Sequence, residues 1–254
     1  MSTRKLRSIA LLASLAVLAA IPAAAQASNS WGGYHWARTS NPFTVRVIDN
    51  MTPNWDDNLA AAIADWGASS VLDVTKEAGD DSAKARRQCR AVTGKVRSCN
   101  ATYGKNGWLG LAQIWVSGGH IVKASAKMND TYLATTAYDE TARQHVICQE
   151  IGHAWGLEHQ DESGADLNTC MDYSDALDNP DPNRHDYNQL ESIYSHLDST
   201  STIAPLAADF ANADVRSQAQ WGRKIHEAAD GRSAVFVRTF GRGKAIYTNV
   251  IWAR

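Results

Sequence analysis

The stretch Gln149-Glu150-x-x-His153-x-x-Gly156-x-x-His159 constrains the fold of this chain more than any other feature. Residues four apart on a helix lie about 40° apart around the axis and one turn up, so Gln149 and His153 project from one face and can address a single ion. Glu150 points about 100° from Gln149, beside such an ion rather than onto it. Gly156 accepts the left-handed conformation that ends helices, which lets the chain swing back and offer His159 from outside the helix. Upstream, the helix is expected to begin at Thr136 or Asp139, both suited to an N-cap, and to run through "ETARQHVICQEIGHAW". Whatever fold the chain adopts must place this helix end and the following loop around one point.

The N-terminal residues bear on where the chain acts. Arg4, Lys5 and Arg7 precede an apolar run over 9–21 and a small-x-small site at Ala25-Gln26-Ala27. That is the layout of a secretory signal peptide, so 1–27 is expected to be removed and the protein to be secreted, to an extracellular or periplasmic space. The run is shorter than the roughly 20 apolar residues of a membrane span, and no membrane attachment is expected after cleavage. Of the 25 Lys and Arg, three lie in this leader; the remaining 22 stand against 27 Asp and Glu, without clustering. Nucleic-acid and anionic-membrane binding, which need clustered bases, are therefore excluded as readings. The length suits one ordinary domain with an appendage, expected as a monomer.

Cys89, Cys99, Cys148 and Cys170 make an even count in an exported chain, which reads as disulfides with three possible pairings. Cys89–Cys99 is favoured, closing "CRAVTGKVRSC" as a small hairpin with Gly94 in its turn; Cys148–Cys170 is then what remains. No C-x-x-C spacing supports a four-cysteine zinc site. Elsewhere, alternation predicts a strand over 43–49. Leu59, Ile63 and Trp66 predict a helix that starts at Pro53 and ends at Gly67. Strands are expected over 107–116 and 120–130, antiparallel about Gly118-Gly119. A helix is expected over 185–197, with Leu190, Ile193, Tyr194 and Leu197 on one face. A hairpin turning at Gly241-Arg242-Gly243 is expected near the end.

Residues 149–159 resemble the H-E-x-x-H-x-x-G-x-x-H site of the metzincin clan of zinc endopeptidases, with Gln149 in place of the first histidine. "TCMDY" (169–173) is similar to the methionine turn beneath the metal in that clan: Met171 matches its methionine. Tyr173 matches the tyrosine that in astacin and serralysin families binds zinc or stabilises the transition state, while Thr169 stands where those families have serine. The resemblance implies an α+β fold, a zincin-like mixed, twisted sheet with an active-site helix and a C-terminal helix. On that reading the catalytic domain is 28–198, a linker 199–206, and a small β-hairpin extension 207–254.

The same resemblance implies one catalytic Zn2+ held by Gln149, His153 and His159, with Glu150 as general base, Tyr173 assisting, and Gly156 and Met171 supporting the site. A Cys148–Cys170 bond would tie the turn under the helix. The substrate would be a protein or peptide lying extended along an edge strand, for which "KASAKMND" (123–130) is the candidate. A carboxamide is a neutral and weaker donor than imidazole, so Gln149 should lower metal affinity and leave a more electrophilic ion. The expected function is a secreted zinc metalloendopeptidase. The alternatives are a catalytically silent domain of this fold that binds a protein partner, and a metal-dependent hydrolase of another substrate. His145 lies eight residues, about 12 Å, from His153 and cannot share an ion with it, so it reads as a supporting or surface residue. His120, His185 and His196 have no role on this reading.

Overall fold

The computed structural model describes residues 29–160, 164–174, 176–201 and 208–254. The leader expected over 1–27 and most of the linker expected over 199–206 lie outside the described residues. The described chain is a mixed α/β structure in which one large mixed sheet carries few helices. In chain order its elements are β1 (His35–Trp36), β2 (Phe43–Asn50), α1 (Asp56–Gly67), β3 (Leu72–Ala78), α2 (Ala83–Gln88), β4 (Lys95–Ala101), β5 (Trp108–Ser117) and β6 (His120–Asn129). There follow α3 (Asp130–Leu133), α4 (Glu140–Ala154), α5 (Arg184–Ile193), α6 (Ala208–Ala211), β7 (Arg223–Glu227), β8 (Ser233–Gly241) and β9 (Lys244–Trp252). The strand order is β3-β2-β4-β6-β5-β9-β8-β7, with the short β1 laid parallel against the start of β6.

The sheet is covered on both faces, which explains why its central strands carry buried residues on both sides. Under α1 and α4 lies one core, containing Leu59, Trp66, Val146, Ile151, Ile114 and Met128. On the opposite face Trp108, Leu111, Trp115, Phe210, Trp221 and Phe236 form a second. Fully burying a side chain such as Leu59 stabilises the fold by about 1.5–3 kcal/mol. A register shift between Trp108 and Gly110 re-aims β5, so that Leu109 joins the first core while Leu111 joins the second. In β6, Ala124, Ala126 and Met128 face α4, and Lys123 and Lys127 take the opposite side, as period-two alternation requires.

Several expectations change here. "KASAKMND" falls mostly on β6, which is hydrogen-bonded to β4 on one side and β5 on the other, so it is not an edge strand. The Cys89–Cys99 disulfide forms, but it does not close a hairpin: Cys89 ends α2 in the left-handed conformation, and only the second arm, β4, is a strand. The turn at Gly94 has φ +77°, a backbone state that glycine adopts freely. The helix expected over 185–197 ends at Ile193; Tyr194 and Ile193 are buried, whereas Leu197 is exposed. The closing hairpin turns at Gly241-Arg242-Gly243 as expected, and β9 pairs with β5 along Trp108–Ser117. Residues of β9 therefore continue the main sheet directly under α4, with Tyr247, Asn249 and Ile251 on the α4 side.

Candidate active site around the end of the fourth helix

Asp139 caps α4, its carboxylate accepting from the Ala142 amide at 2.9 Å. The helix then runs to Ala154 packed against α1, β5 and β6, with the Trp66 indole donating to the Cys148 carbonyl at 3.1 Å. At its far end the orphan carbonyls find side-chain donors: Trp36 Nε1 bonds Ala154 O at 2.9 Å and Tyr194 Oη bonds Trp155 O at 2.8 Å. Gly156 sits at φ +97°, and a Cβ there would collide with the Tyr34 carbonyl. Only glycine satisfies both demands, and the reversal it permits returns the chain over the helix end.

That reversal fixes two imidazoles. His153 Nδ1 donates to the Leu157 carbonyl at 2.9 Å, which leaves the lone pair on Nε2. His159 Nδ1 meets Glu158 Oε1 at 2.9 Å, again leaving the lone pair on Nε2, and this buried nitrogen has no hydrogen-bond partner among the described residues. The two rings lie 4.7 Å apart between centroids. Burial, then the neighbouring His159, push the His153 pKa down to about 3; burial, then His226, do the same for His159. Both rings are thus neutral, in the tautomer a metal ligand needs, each with the outer partner that orients such a ligand.

Gln149 is placed differently from a simple ligand. Its Nε2 donates to the Cys170 carbonyl at 2.9 Å and to the Asp172 carbonyl at 3.3 Å, so the carboxamide grips the methionine turn. Only Oε1 remains to address an ion. Glu150 is fully buried against β5, where a Cβ on Gly110 would collide with Glu150 Oε1; burial raises its pKa well above the ordinary carboxylate value. Its Oε2 has no hydrogen-bond partner among the described residues.

The turn itself is built from both directions. Met171 lies beneath the helix, its Sδ 2.5 Å from where a Cβ on Gly152 would stand. The Cys148–Cys170 disulfide joins helix and turn. Thr169 Oγ1 donates to Asp186 Oδ2, and that same oxygen accepts from the Asn183 amide in the capping box of α5. Tyr173 stacks on His159 with centroids 3.8 Å apart. The motif residues therefore come together at the helix end, with Tyr173, Met171 and Cys170 beneath them. His145, by contrast, is buried in α4 and is not a surface residue.

Four contributors escape sequence reasoning. Trp31 stacks on His153 at 5.4 Å, and Glu158 orients His159. His226 of β7 lies with its ring 5.9 Å from Tyr173. Asn249 of β9 donates from Nδ2 to His153 Nε2 at 2.7 Å. Glu158 and Trp31 had at least a position near the motif or the chain start; His226 and Asn249 arrive through sheet pairing, and no local spacing announces them. Beside these residues a cleft of about 630 Å³ is lined by Trp31, Tyr34, Glu158, His159, Tyr173 and His226.

Within the motif, then, His159 Nε2 is without a hydrogen-bond partner among the described residues, while His153 Nε2 accepts from Asn249. Among the described residues, the group of histidines and carboxylates whose donor atoms all lie within 4.8 Å of one another is elsewhere: His35, His196 and Asp198, which could hold a metal ion. The two disulfides are compatible with an extracellular location. Comparison of the chain with protein-family models, with characterised proteins and with solved structures gives no match.

Proposed function

We propose that the protein is a secreted zinc-dependent endopeptidase of metzincin type. The observation that carries this reading is the state of the two motif histidines. His153 and His159 both present an unprotonated Nε2 beside one another, and that of His159 is buried without a hydrogen-bond partner among the described residues. A buried polar atom left in this condition is costly unless something fills it, and a cation is the natural occupant between such rings. The donor set, two imidazoles with the Gln149 carboxamide oxygen, fits a borderline ion such as Zn2+. The ion, when bound, supplies Lewis-acid polarisation of a substrate carbonyl.

The chain's own residues do the rest. Glu150, whose burial raises its pKa well above the ordinary carboxylate value, acts as the general base and then returns the proton to the leaving amine. Tyr173 would donate from its hydroxyl to charge developing on the substrate oxygen, a role its stacking on His159 supports by keeping it beside the motif. The extended peptide lies along β7, which ends the sheet order and contributes Ile225 and His226 to the cleft. This moves the substrate strand from the interior β6 to a true edge.

A second reading has one observation in its favour. The Asn249 amide meets the His153 lone pair that zinc would need, as expected of a domain that binds a protein partner in the cleft without catalysis. Metal analysis of the purified protein, paired with digestion of a peptide library, separates the two. Bound zinc with cleavage that is abolished by a chelator and by Glu150→Ala supports the peptidase. Metal-free protein without cleavage after zinc addition leaves the silent domain.

A further inference from the structure

We infer a second metal site, separate from the α4 centre, in which His35, His196 and Asp198 hold a divalent ion of the zinc type. The three donor atoms form a nearly regular triangle. His35 Nε2 is 3.2 Å from His196 Nε2 and 3.4 Å from Asp198 Oδ1, and His196 Nε2 is 3.7 Å from the same oxygen. Tetrahedral zinc with ligands about 2.0–2.1 Å away separates its donors by about 3.3 Å, so an ion fits at this spacing with little movement.

The hydrogen-bond pattern turns acceptor atoms toward that point. His35 Nδ1 lies 2.8 Å from the Gly33 carbonyl and donates to it, so in the neutral ring Nε2 is an acceptor. Asp198 Oδ1 is also an acceptor, and it faces that nitrogen directly. His196 Nε2, at 3.2 Å from His35 Nε2, and His120 Nε2, at 3.0 Å from Asp198 Oδ1, face the same point, so four potential ligand atoms converge there.

The outer contacts are those of a built site. The other carboxylate oxygen, Asp198 Oδ2, accepts from the Arg38 backbone amide at 3.1 Å and from Arg38 Nη1 at 2.9 Å, which aims Oδ1 at the histidines. Arg38 is itself buried, and its guanidinium also donates to the His196 carbonyl. His35 is oriented by Gly33, as a ligating imidazole is oriented by a carbonyl. His120 Nε2 stands 3.0 Å from Asp198 Oδ1 and is the candidate fourth ligand. The His196 side chain is 54% exposed, which leaves an entry path for the ion.

The ligands come from three separate segments: β1, the start of β6, and the chain just after α5. An ion there would clip the N-terminal segment, which supplies Trp31 and Tyr34 to the cleft wall, onto the sheet. Two imidazoles and a carboxylate suit Zn2+, Co2+ or Ni2+ rather than Ca2+ or Mg2+.

The test uses the full secreted chain stripped with a chelator and titrated with Zn2+, comparing wild type with His196→Ala, His120→Ala and His153→Ala. The expected result is a zinc equivalent that His153→Ala retains, that His196→Ala weakens tenfold or more, and whose binding raises the wild-type melting temperature by several degrees. His196 is exposed, so His196→Ala should fold; its metal-free melting temperature checks this. Should His153→Ala fail to fold, the loss of one equivalent between wild type and His196→Ala decides the matter. Zinc binding unchanged in His196→Ala overturns the proposal and leaves hydrogen bonds among the three histidines and Asp198 as the explanation of the geometry.

Discussion

Asn249 Nδ2 donates to His153 Nε2 at 2.7 Å, and this single contact couples the C-terminal hairpin to the histidine at the heart of the motif. Asn249 also lies 3.4 Å from Glu158 Oε1, the oxygen that orients His159. The hairpin residue thus touches both imidazole arrangements at once. For zinc to take His153 Nε2, the amide has to turn away, and the hydrogen bond lost is worth about 0.5–1.5 kcal/mol. On the proposed zinc reading, Asn249→Ala should therefore tighten zinc at the motif roughly two- to tenfold, measured by competition with a chromogenic chelator. Unchanged affinity would show that the amide does not compete with the ion.

Gln149 carries two duties that a histidine cannot carry together. Its nitrogen bonds two carbonyls of the methionine turn, and its oxygen is the remaining donor. In Gln149→His the stronger ligand should raise zinc affinity about tenfold or more, a gain of about 1.4 kcal/mol being enough. The metal-free protein should at the same time lose about 1–3 kcal/mol, because two buried carbonyls lose their donor. Denaturant titrations with and without zinc would reveal this opposed pair of shifts. A variant that gains affinity at no cost in metal-free stability would contradict the anchoring role.

How far the sequence carried these conclusions depended on whether the determinants were local. Gly156 was legible because one residue type satisfies a helix stop, and its φ of +97° shows the reversal that was expected of it. The cap, narrowed to Thr136 or Asp139, the strand read over 43–49 and the Gly241-Arg242-Gly243 turn were legible for the same reason: capping, alternation and turn chemistry act within a few residues. What failed was long-range. Nothing near 123–130 says that β4 will pair on its far side, so the strand read as an edge when it is the centre of the sheet. Nothing near 249 says that β9 will lie beside β5 and aim an amide at His153. Histidines 120 and 196 looked like spares, and His35 carried no signal, because their convergence on Asp198 depends on three segments meeting in space.

Gly110 makes room for Glu150. A Cβ at this position would collide with Glu150 Oε1 and stand 2.6 Å from Val146 Cγ1. Gly110→Ala should cost about 1–3 kcal/mol by overpacking and displace the carboxylate. The penalty should shrink in a Glu150→Ala background, since the shorter side chain leaves the space open. A double-mutant cycle read by chemical denaturation should give a coupling of about 0.5–3 kcal/mol. Additive losses would mean that the clash is relieved elsewhere and that Gly110 does not govern the position of Glu150.

The Cys148–Cys170 bond closes a loop over a sequence separation of 22 and holds Met171 under Gly152. The loop-entropy relation gives about 3 kcal/mol for a loop of that size. The Cys148→Ala/Cys170→Ala pair should lose about that much stability. Because the Gln149 amide is anchored on the Cys170 carbonyl, the pair should also weaken metal binding at the α4 centre. Peptide mapping of the non-reduced wild type checks the linkage, and zinc competition on the double variant checks its consequence. Intact metal affinity after removal of the bond would assign the anchoring to the hydrogen bonds alone.

Lys127 gives a pH signature far from the motif. Its ammonium is buried on the second face of the sheet, donating to Gln113 Oε1 at 3.0 Å, and burial, only partly offset by Asp214, lowers its pKa to about 8. An unfolded lysine titrates near 10.4. Between about pH 8 and 10.4 the unfolded chain therefore binds more protons than the folded one, so stability rises with pH across that window. Below pH 8 both states are charged and the burial cost is carried in full. At about 1.4 kcal/mol per pH unit, the gain is on the order of 3 kcal/mol. Lys127→Met lacks the titrating group, so the difference in unfolding free energy between wild type and variant should shift toward wild type by that amount from pH 8 to pH 10.4. Urea titrations of both proteins at several pH values measure it, with tyrosine and other lysine effects cancelling in the difference. A flat difference would mean that Lys127 keeps an ordinary pKa, with water reaching it between β6 and the 208–221 segment.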